Sequence, residues 1–186
     1  MKKWLQNPKT RAEIRDTVES LFVALVLALV IRTFVVQAFK IPTGSMIPTL
    51  QIGDRIMVNK FIYWFRDPAP GDVVVFKFPE DPKMAFIKRC IAGENSEVEI
   101  RNGKIILNGA PLDEPRLSGW YYYNVNESLF GAVGAMVSVP PHALYVLGDN
   151  SRNSKDSRYW GFVPRHYVLG KAFLIYWPLH RIRLMQ

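Results

Sequence analysis

Residues 71–92 read GDVVVFKFPEDPKMAFIKRCIA, and two runs within them decide the fold class. Asp72–Phe78 and Ala85–Ile91 are short, dense in valine, isoleucine and phenylalanine, and bounded by turn formers, which is the signature of strands. Phe78-Pro-Glu-Asp-Pro82 between them reads as a loop, as does Asp67-Pro-Ala-Pro-Gly71 before them. Outward from this stretch the signature repeats at Arg55–Ile62, Glu97–Arg101, Lys104–Leu107, Ala143–Leu147 and Val168–Tyr176. Asn102-Gly103 joins two of these runs with the residue pair of a tight hairpin. No long amphipathic helix interrupts the series, so residues 39–186 are expected to form a mainly β domain.

The N-terminal segment has a different character. Residues 18–39 read VESLFVALVLALVIRTFVVQAF, with an unbroken apolar run from Leu21 to Ile31. About 20 helical residues at ~1.5 Å each span a hydrocarbon core of ~30 Å, so residues 18–38 are long enough for a transmembrane helix. Arg32 sits near the far end, where its side chain can snorkel toward headgroups. A cleaved signal peptide and a buried core helix compete with the anchor. Val36-Gln37-Ala38 resembles a cleavage site, but the apolar stretch is long for that role, and Leu21–Ile31 lacks the polar stripe of a core helix. Lys2, Lys3, Lys9, Arg11 and Arg15 precede it, so residues 1–17 form a basic cytoplasmic tail and the body lies outside the membrane.

Composition narrows the function classes. The chain has 186 residues, 49% of them hydrophobic, with a net charge of +8, which excludes a disordered chain and supplies material for a core. Residues 40–186 carry 18 basic and 13 acidic side chains in mixed order, not the basic stripe of a nucleic-acid surface. Cys90 is the single cysteine and the three histidines stand far apart, so neither a disulfide nor a metal centre is expected. In residues 117–137, Trp120 and three successive tyrosines suit either a loop packed on the sheet or a membrane interface.

Three segments can carry chemistry. Ile41-Pro-Thr-Gly-Ser-Met-Ile-Pro-Thr-Leu50 fixes a tight backbone around Ser45, able to expose a nucleophile beside unpaired N–H groups; a simple turn has the same composition. In Ala85–Ile91, strand alternation puts Lys88 between Phe86 and Cys90, where desolvation lowers the amine pKa; a lysine on a solvated edge is the alternative. Leu147–Gly161 is a dense polar loop in which Asp156 and Arg158 can pair and Ser154 or Ser157 can orient a neighbour.

Together these segments resemble the bacterial type I signal peptidases, membrane-anchored serine proteases with a Ser–Lys dyad. The resemblance runs from about residue 19 to 178 and rests on four boxes in order. They are Gly44–Leu50, Gly53-Asp54-Arg55 through Asn59-Lys60, Gly71–Phe76 through Ile87-Lys88-Arg89, and Gly148-Asp149-Asn150 with Asn153–Gly161. It implies Ser45 as nucleophile and Lys88 as general base, with Ser154 orienting the amine. The Ser45 N–H and the Thr43 hydroxyl make the oxyanion hole, and Asp156 and Arg158 brace the site. Phe39, Ile41, Leu50, Val75, Phe86 and Ile87 match shallow pockets that admit small side chains, as in Ala-x-Ala. No cofactor is implied. The implied partners are signal peptides of exported preproteins and membrane lipid, with no nucleic acid, at the cytoplasmic membrane as a single-pass protein. Thr43 replaces the serine of many relatives, and Arg152 stands where an acid is common. Ser45 follows Ala38 by seven residues, within roughly 25 Å of the anchor's end in an extended chain.

A self-cleaving Ser–Lys protease resembling the SOS-repressor group is the nearest rival enzyme, but that group lacks a membrane anchor. A specialised processing peptidase of the same superfamily stands closer. The non-enzymatic rival is an anchored β domain that binds peptide or lipid, with Ser45 and Lys88 incidental.

Overall fold

The computed structural model describes residues 8–30, 32, 35–117 and 119–185. Helix α1 (Pro8–Val30) is followed by twelve strands: β1 (Val36–Lys40), β2 (Arg55–Asn59), β3 (Val73–Phe78), β4 (Asp81–Ala92), β5 (Glu97–Arg101), β6 (Lys104–Leu107), β7 (Ala110–Pro111), β8 (Val137–Ser138), β9 (Ala143–Leu147), β10 (Val163–Pro164), β11 (Val168–Trp177) and β12 (Arg183–Leu184). A one-turn helix α2 (Ser157–Trp160) lies between β9 and β10. The main sheet has the order β1-β2-β11-β3-β4-β9-β10, with β12 on β11; a small sheet has the order β7-β6-β5-β8. The architecture is mainly β, as the valine-rich runs require.

Local chemistry explains where the observed strands differ from the expected ones. The run from Arg55 stops at Asn59 because the Asn59 side chain accepts from the Phe61 and Ile62 N–H groups (2.9 and 3.0 Å), turning Ile62–Trp64 into a short 3₁₀ turn. The prolines at 79 and 82 do not make a loop of residues 78–82: β4 already begins at Asp81, opposite Phe78. Proline is tolerated there because this half of β4 pairs only with β3; β9 joins from Arg89 onward. Asn102 and Gly103 both adopt positive φ (52° and 75°), as a two-residue hairpin turn demands.

The expected membrane span 18–38 is not one helix. Val36, Gln37 and Ala38 belong to β1, paired with Asn59, Val58 and Met57, because the β-branched Val36 and the residues after it find ladder partners in β2. The helix instead reaches back to Pro8 and takes in residues 8–17 of the expected tail; residues 1–7, 31, 33 and 34 lie outside the described residues. Glu13, Arg15, Asp16 and Glu19 occupy its first half, and among the described residues no helix is long and apolar enough to cross a membrane.

Three apolar clusters hold the body. Ile41, Met46, Leu50, Ile56, Val75 and Ile175 form one beneath β2, β3 and β11. Val74, Phe76, Cys90, Val146 and Val163 form a second on β3, β4 and β9. The third joins Ile91, Tyr145 and Leu147 to Val98 and Ile105 of the small sheet, and Tyr122 and Trp120 of the aromatic segment pack into it. Residues 41–54, 88–89 and 148–158 thereby converge beside the main sheet.

Candidate active site

Ser45 lies in the turn between β1 and β2. The Ile47 N–H donates to the Gly44 carbonyl and the Leu50 N–H to the Met46 carbonyl, while the Met46 and Leu50 side chains are wholly buried beneath. The base of the turn is closed by Ile41 N–H to Asp54 O and Gly53 N–H to Ile41 O, both 2.9 Å. Asp54 is itself fixed by a bidentate Arg181 (2.8 and 2.9 Å) and by the Gln51 N–H (2.8 Å). A serine held on both sides by core residues keeps one position without spending entropy to find it.

Lys88 stands on β4 opposite Val74, on the face it shares with Phe86 and Cys90. Its side chain is nearly sealed, at 4% exposure, with the amine 5.6 Å from the Phe86 ring centre. The amine donates to Ser45 Oγ at 2.7 Å and to the Ile87 carbonyl at 3.1 Å. Burial pushes the Lys88 amine down from its ordinary value of 10.5 to about 8, against the opposing pull of Asp156 and Asp149.

The loop after β9 fixes both partners. The Asn150 N–H donates to the Ser45 carbonyl (3.0 Å), and its side-chain amide donates to the Gly44 carbonyl (3.1 Å). Arg158 and Asp156, both fully buried, form a bidentate pair at 2.8 Å for each bond. Asp156 also accepts from the Gly148 N–H at 2.9 Å, and Arg158 donates to Ser151 Oγ and to the carbonyls of Tyr123, Ser151 and Ser154. Every guanidinium donor therefore has a partner, the condition under which a buried charge is tolerable.

Two expectations need correction. Ser154 is buried beside Gly148, but its hydroxyl makes no hydrogen bond, so it does not orient the Lys88 amine here; that amine is taken up by Ser45 and the Ile87 carbonyl. Leu50 does not line the shallow pocket. The Met46–Leu50 turn points it into the core, whereas Phe39, Ile41, Val75, Phe86 and Ile87 surround a cavity of about 30 Å³. Thr43 is exposed at the mouth of the Ser45 turn.

The sequence reading also missed Arg89 and Asp149. Their side chains, nearly inaccessible, pair through two bonds (2.9 and 2.7 Å), and Arg89 also donates to Gly71 O (2.7 Å) and Thr49 Oγ1 (3.2 Å) while Trp120 covers its guanidinium at 4.9 Å. Burial raises the Asp149 carboxyl above the usual range, with Arg89 opposing it. Strand alternation placed Arg89 opposite Lys88, and only its apolar neighbours Ile87 and Ile91 hinted at a buried cation needing an acid. Among the described residues, no group of three or more His, Cys, Asp or Glu side chains could hold a metal ion.

The arrangement is that of a hydroxyl touching a buried amine whose charged form is disfavoured, which permits proton transfer from one to the other. Comparison with known proteins gives a consistent result. The family described as signal peptidase, peptidase S26, matches residues 14–177. A signal peptidase I of Leptolyngbya laminosa is 37% identical over 95% of this chain and 86% of its own length. A probable signal peptidase I of Synechocystis is 42% identical over 98% of this chain and 77% of its own. A signal peptidase I of Aquifex aeolicus is 33% identical over 88% and 84% respectively.

Proposed function

The chain belongs to the signal peptidase family, peptidase S26, and on that premise we propose that this serine endopeptidase removes signal peptides with a Ser45–Lys88 dyad while anchored to the membrane by α1. The observation that carries the mechanism is the 2.7 Å contact between Ser45 Oγ and the buried Lys88 amine. With Lys88 neutral, the Ser45 O–H donates its proton to Nζ as Oγ attacks the scissile carbonyl carbon. The oxyanion is met by the Ser45 N–H and the Thr43 hydroxyl. Lys88 then returns the proton to the leaving amine, giving an acyl-enzyme on Ser45. A water that loses its proton to Lys88 hydrolyses the ester and releases the new carboxyl terminus. Asp156 and Arg158 brace the loop that carries Ser154 and Asn150.

Substrate reading follows from two features. Residues 83–87 of β4 offer a sheet edge open on one side, suited to an extended peptide added as a further strand. The cavity of about 30 Å³ beside that edge has room for one group the size of a methyl or a water, which selects alanine-like side chains. The anchoring is supported by α1 itself. Leu21, Phe22, Val23, Leu25, Leu27 and Leu29 are all exposed, so apolar groups point outward around the helix, which asks for an apolar surrounding. Lys2, Lys3, Lys9, Arg11 and Arg15, ahead of the apolar half of α1, support a topology with residues 1–17 inside and the body outside the cytoplasmic membrane.

The test is cleavage of a secretory precursor by the reconstituted chain. Ser45→Ala and Lys88→Ala should each lose activity nearly completely and keep the fold, because both act in a single proton transfer. The kcat/KM profile of the unaltered chain should rise through an apparent pKa of about 8. Substantial turnover by either variant, or a limb near 10.5, refutes the dyad.

A further inference from the structure

We propose that Arg152, held over the Tyr123 ring, forms a subsite that reads an acidic side chain among the first three residues after the scissile bond. The inference rests on the β4 edge and the Ser45–Lys88 dyad proposed above. The loop 148–158 carries three cations, and two are spent: Arg158 on buried Asp156, and Lys155 on Glu80 at 3.6 Å. The loop's other acid, Asp149, is taken by Arg89. Arg152 is left exposed, and among the described residues its guanidinium has neither a carboxylate in ion-pair range nor a hydrogen-bond acceptor. What it has is a platform. Its guanidinium carbon lies 4.5 Å from the centre of the Tyr123 ring, within cation–π range. Tyr123 is pinned through its backbone, its N–H donating to Ser151 Oγ at 2.9 Å and its carbonyl accepting from Arg158 at 2.6 Å. Tyr121 extends the shelf, with its ring centre 4.7 Å from that of Tyr123. A guanidinium seated on a ring keeps its N–H groups for a second partner, and its planar fork matches a carboxylate.

The topology says which part of a precursor meets it. The open edge of β4 ends where β9 joins, with Arg89 opposite Leu147. The chain leaves β9 at Gly148, and two residues later the Asn150 N–H donates to the Ser45 carbonyl at 3.0 Å. A peptide lying along residues 83–87 with its scissile carbonyl at Ser45 Oγ therefore finds this loop directly beyond the cut. The small cavity beside the edge takes residues before the cut, so the residues after it must cross the loop. Arg152 lies in the 3₁₀ turn Ser151–Asn153, two residues past Asn150. At ~2.0 Å of rise per residue that is about 4 Å further on, against ~3.3 Å per residue of an extended peptide. Its long side chain thus commands the first three positions after the cut.

The experiment uses the full chain reconstituted in phosphatidylcholine vesicles. Soluble peptides carry Ala-x-Ala before the cut and a single glutamate, glutamine or lysine at the first, second or third position after it. At one of those positions glutamate should exceed glutamine about two- to fivefold in kcat/KM, the range of an exposed ion pair, with lysine lowest. Arg152→Glu should invert the order, lysine above glutamate, and Arg152→Gln should level it. A merely structural role for Arg152 would not produce the inversion. Lys155→Glu changes the net charge as much as Arg152→Glu does and should keep the glutamate preference. Equal rates for glutamate and glutamine at all three positions in the unaltered chain overturn the subsite, as does a preference that survives in Arg152→Gln. Loss of the preference in Lys155→Glu overturns it too, since long-range charge then accounts for the effect. Failure of the unaltered chain to cleave even the glutamine peptides, or undiminished cleavage by Ser45→Ala, overturns the proposed function and the subsite with it, so the two failures are told apart.

Discussion

Replacing Lys88 with methionine keeps the reach and apolar stem of the side chain and removes the amine, and the resulting change in fold stability should depend on pH in a way fixed by burial. The amine sits at about 8 in the folded chain against an ordinary 10.5. At ~1.4 kcal/mol per pH unit, a depression of that size means roughly 3 kcal/mol of instability while the amine is charged in both states. Methionine escapes that cost but gives up the bond to Ser45 Oγ, worth about 1 kcal/mol. At pH 7 the variant should therefore be the more stable by about 2 kcal/mol, a gain of very roughly 4–8 °C in Tm for a domain of this size. The sign reverses with pH. Between about 8 and 10.5 the folded chain has shed the proton while the unfolded chain still binds it, so the unaltered protein gains stability as pH rises. Above 10.5 both states are neutral, and the unaltered protein should lead by the value of the lost hydrogen bond. Paired denaturation curves at pH 7 and pH 10.5 measure the difference. A gap that does not move with pH, or a variant less stable at pH 7, would show that burial does not disfavour the Lys88 charge, and the case for a neutral base would fall with it.

Two other substitutions probe the frame around the dyad. Gly148→Ala sets a methyl group against the Ser154 side chain and within 2.6 Å of the Ser45 carbonyl, so the Ser45 turn must shift. A stability loss of about 1–3 kcal/mol should accompany a fall in kcat/KM of tenfold or more, and peptide cleavage at the normal rate would contradict the close approach. Asp156→Asn leaves the buried Arg158 charge uncompensated and should cost about 3–5 kcal/mol in chemical denaturation. A loss below 1 kcal/mol would mean that the pair is solvated.

Much of this was legible in the sequence because the strands are buried on at least one face. Val73–Phe78 and Ala143–Leu147 are almost continuous apolar runs, and their boundaries follow from composition alone. Lys88 was legible for the same reason, since a charged group spaced two residues from Phe86 and Cys90 cannot avoid their face. The short strands β7, β8, β10 and β12 were not, because two residues carry no period. Nor was the end of the membrane-like run, where Val35 and Val36 suit a helix in lipid and a strand in a sheet equally well. The Arg89–Asp149 pair spans 60 residues, so the apolar neighbours of Arg89 hint at a buried cation but nothing local names its acid. Ser154 shows the opposite failure: motif matching supplied a partner that the observed side-chain directions do not provide.

The half-open β4 has a consequence for the solution behaviour of the molecule. An unpaired sheet edge recruits any extended segment, including the same edge of another copy, and proteins usually block such edges outright. Here the blocking is partial. Pro82 lacks an N–H, and Asp81 and Lys83 put opposite charges on either side of it, so the outer end of the strand resists zipping to a twin. Only the stretch from Met84 to Ile87 stays free of such guards, and it is too short to support a lasting sheet-to-sheet contact. The edge is thus open over a few residues and repellent beyond them, a pattern that disfavours sheet-to-sheet aggregation.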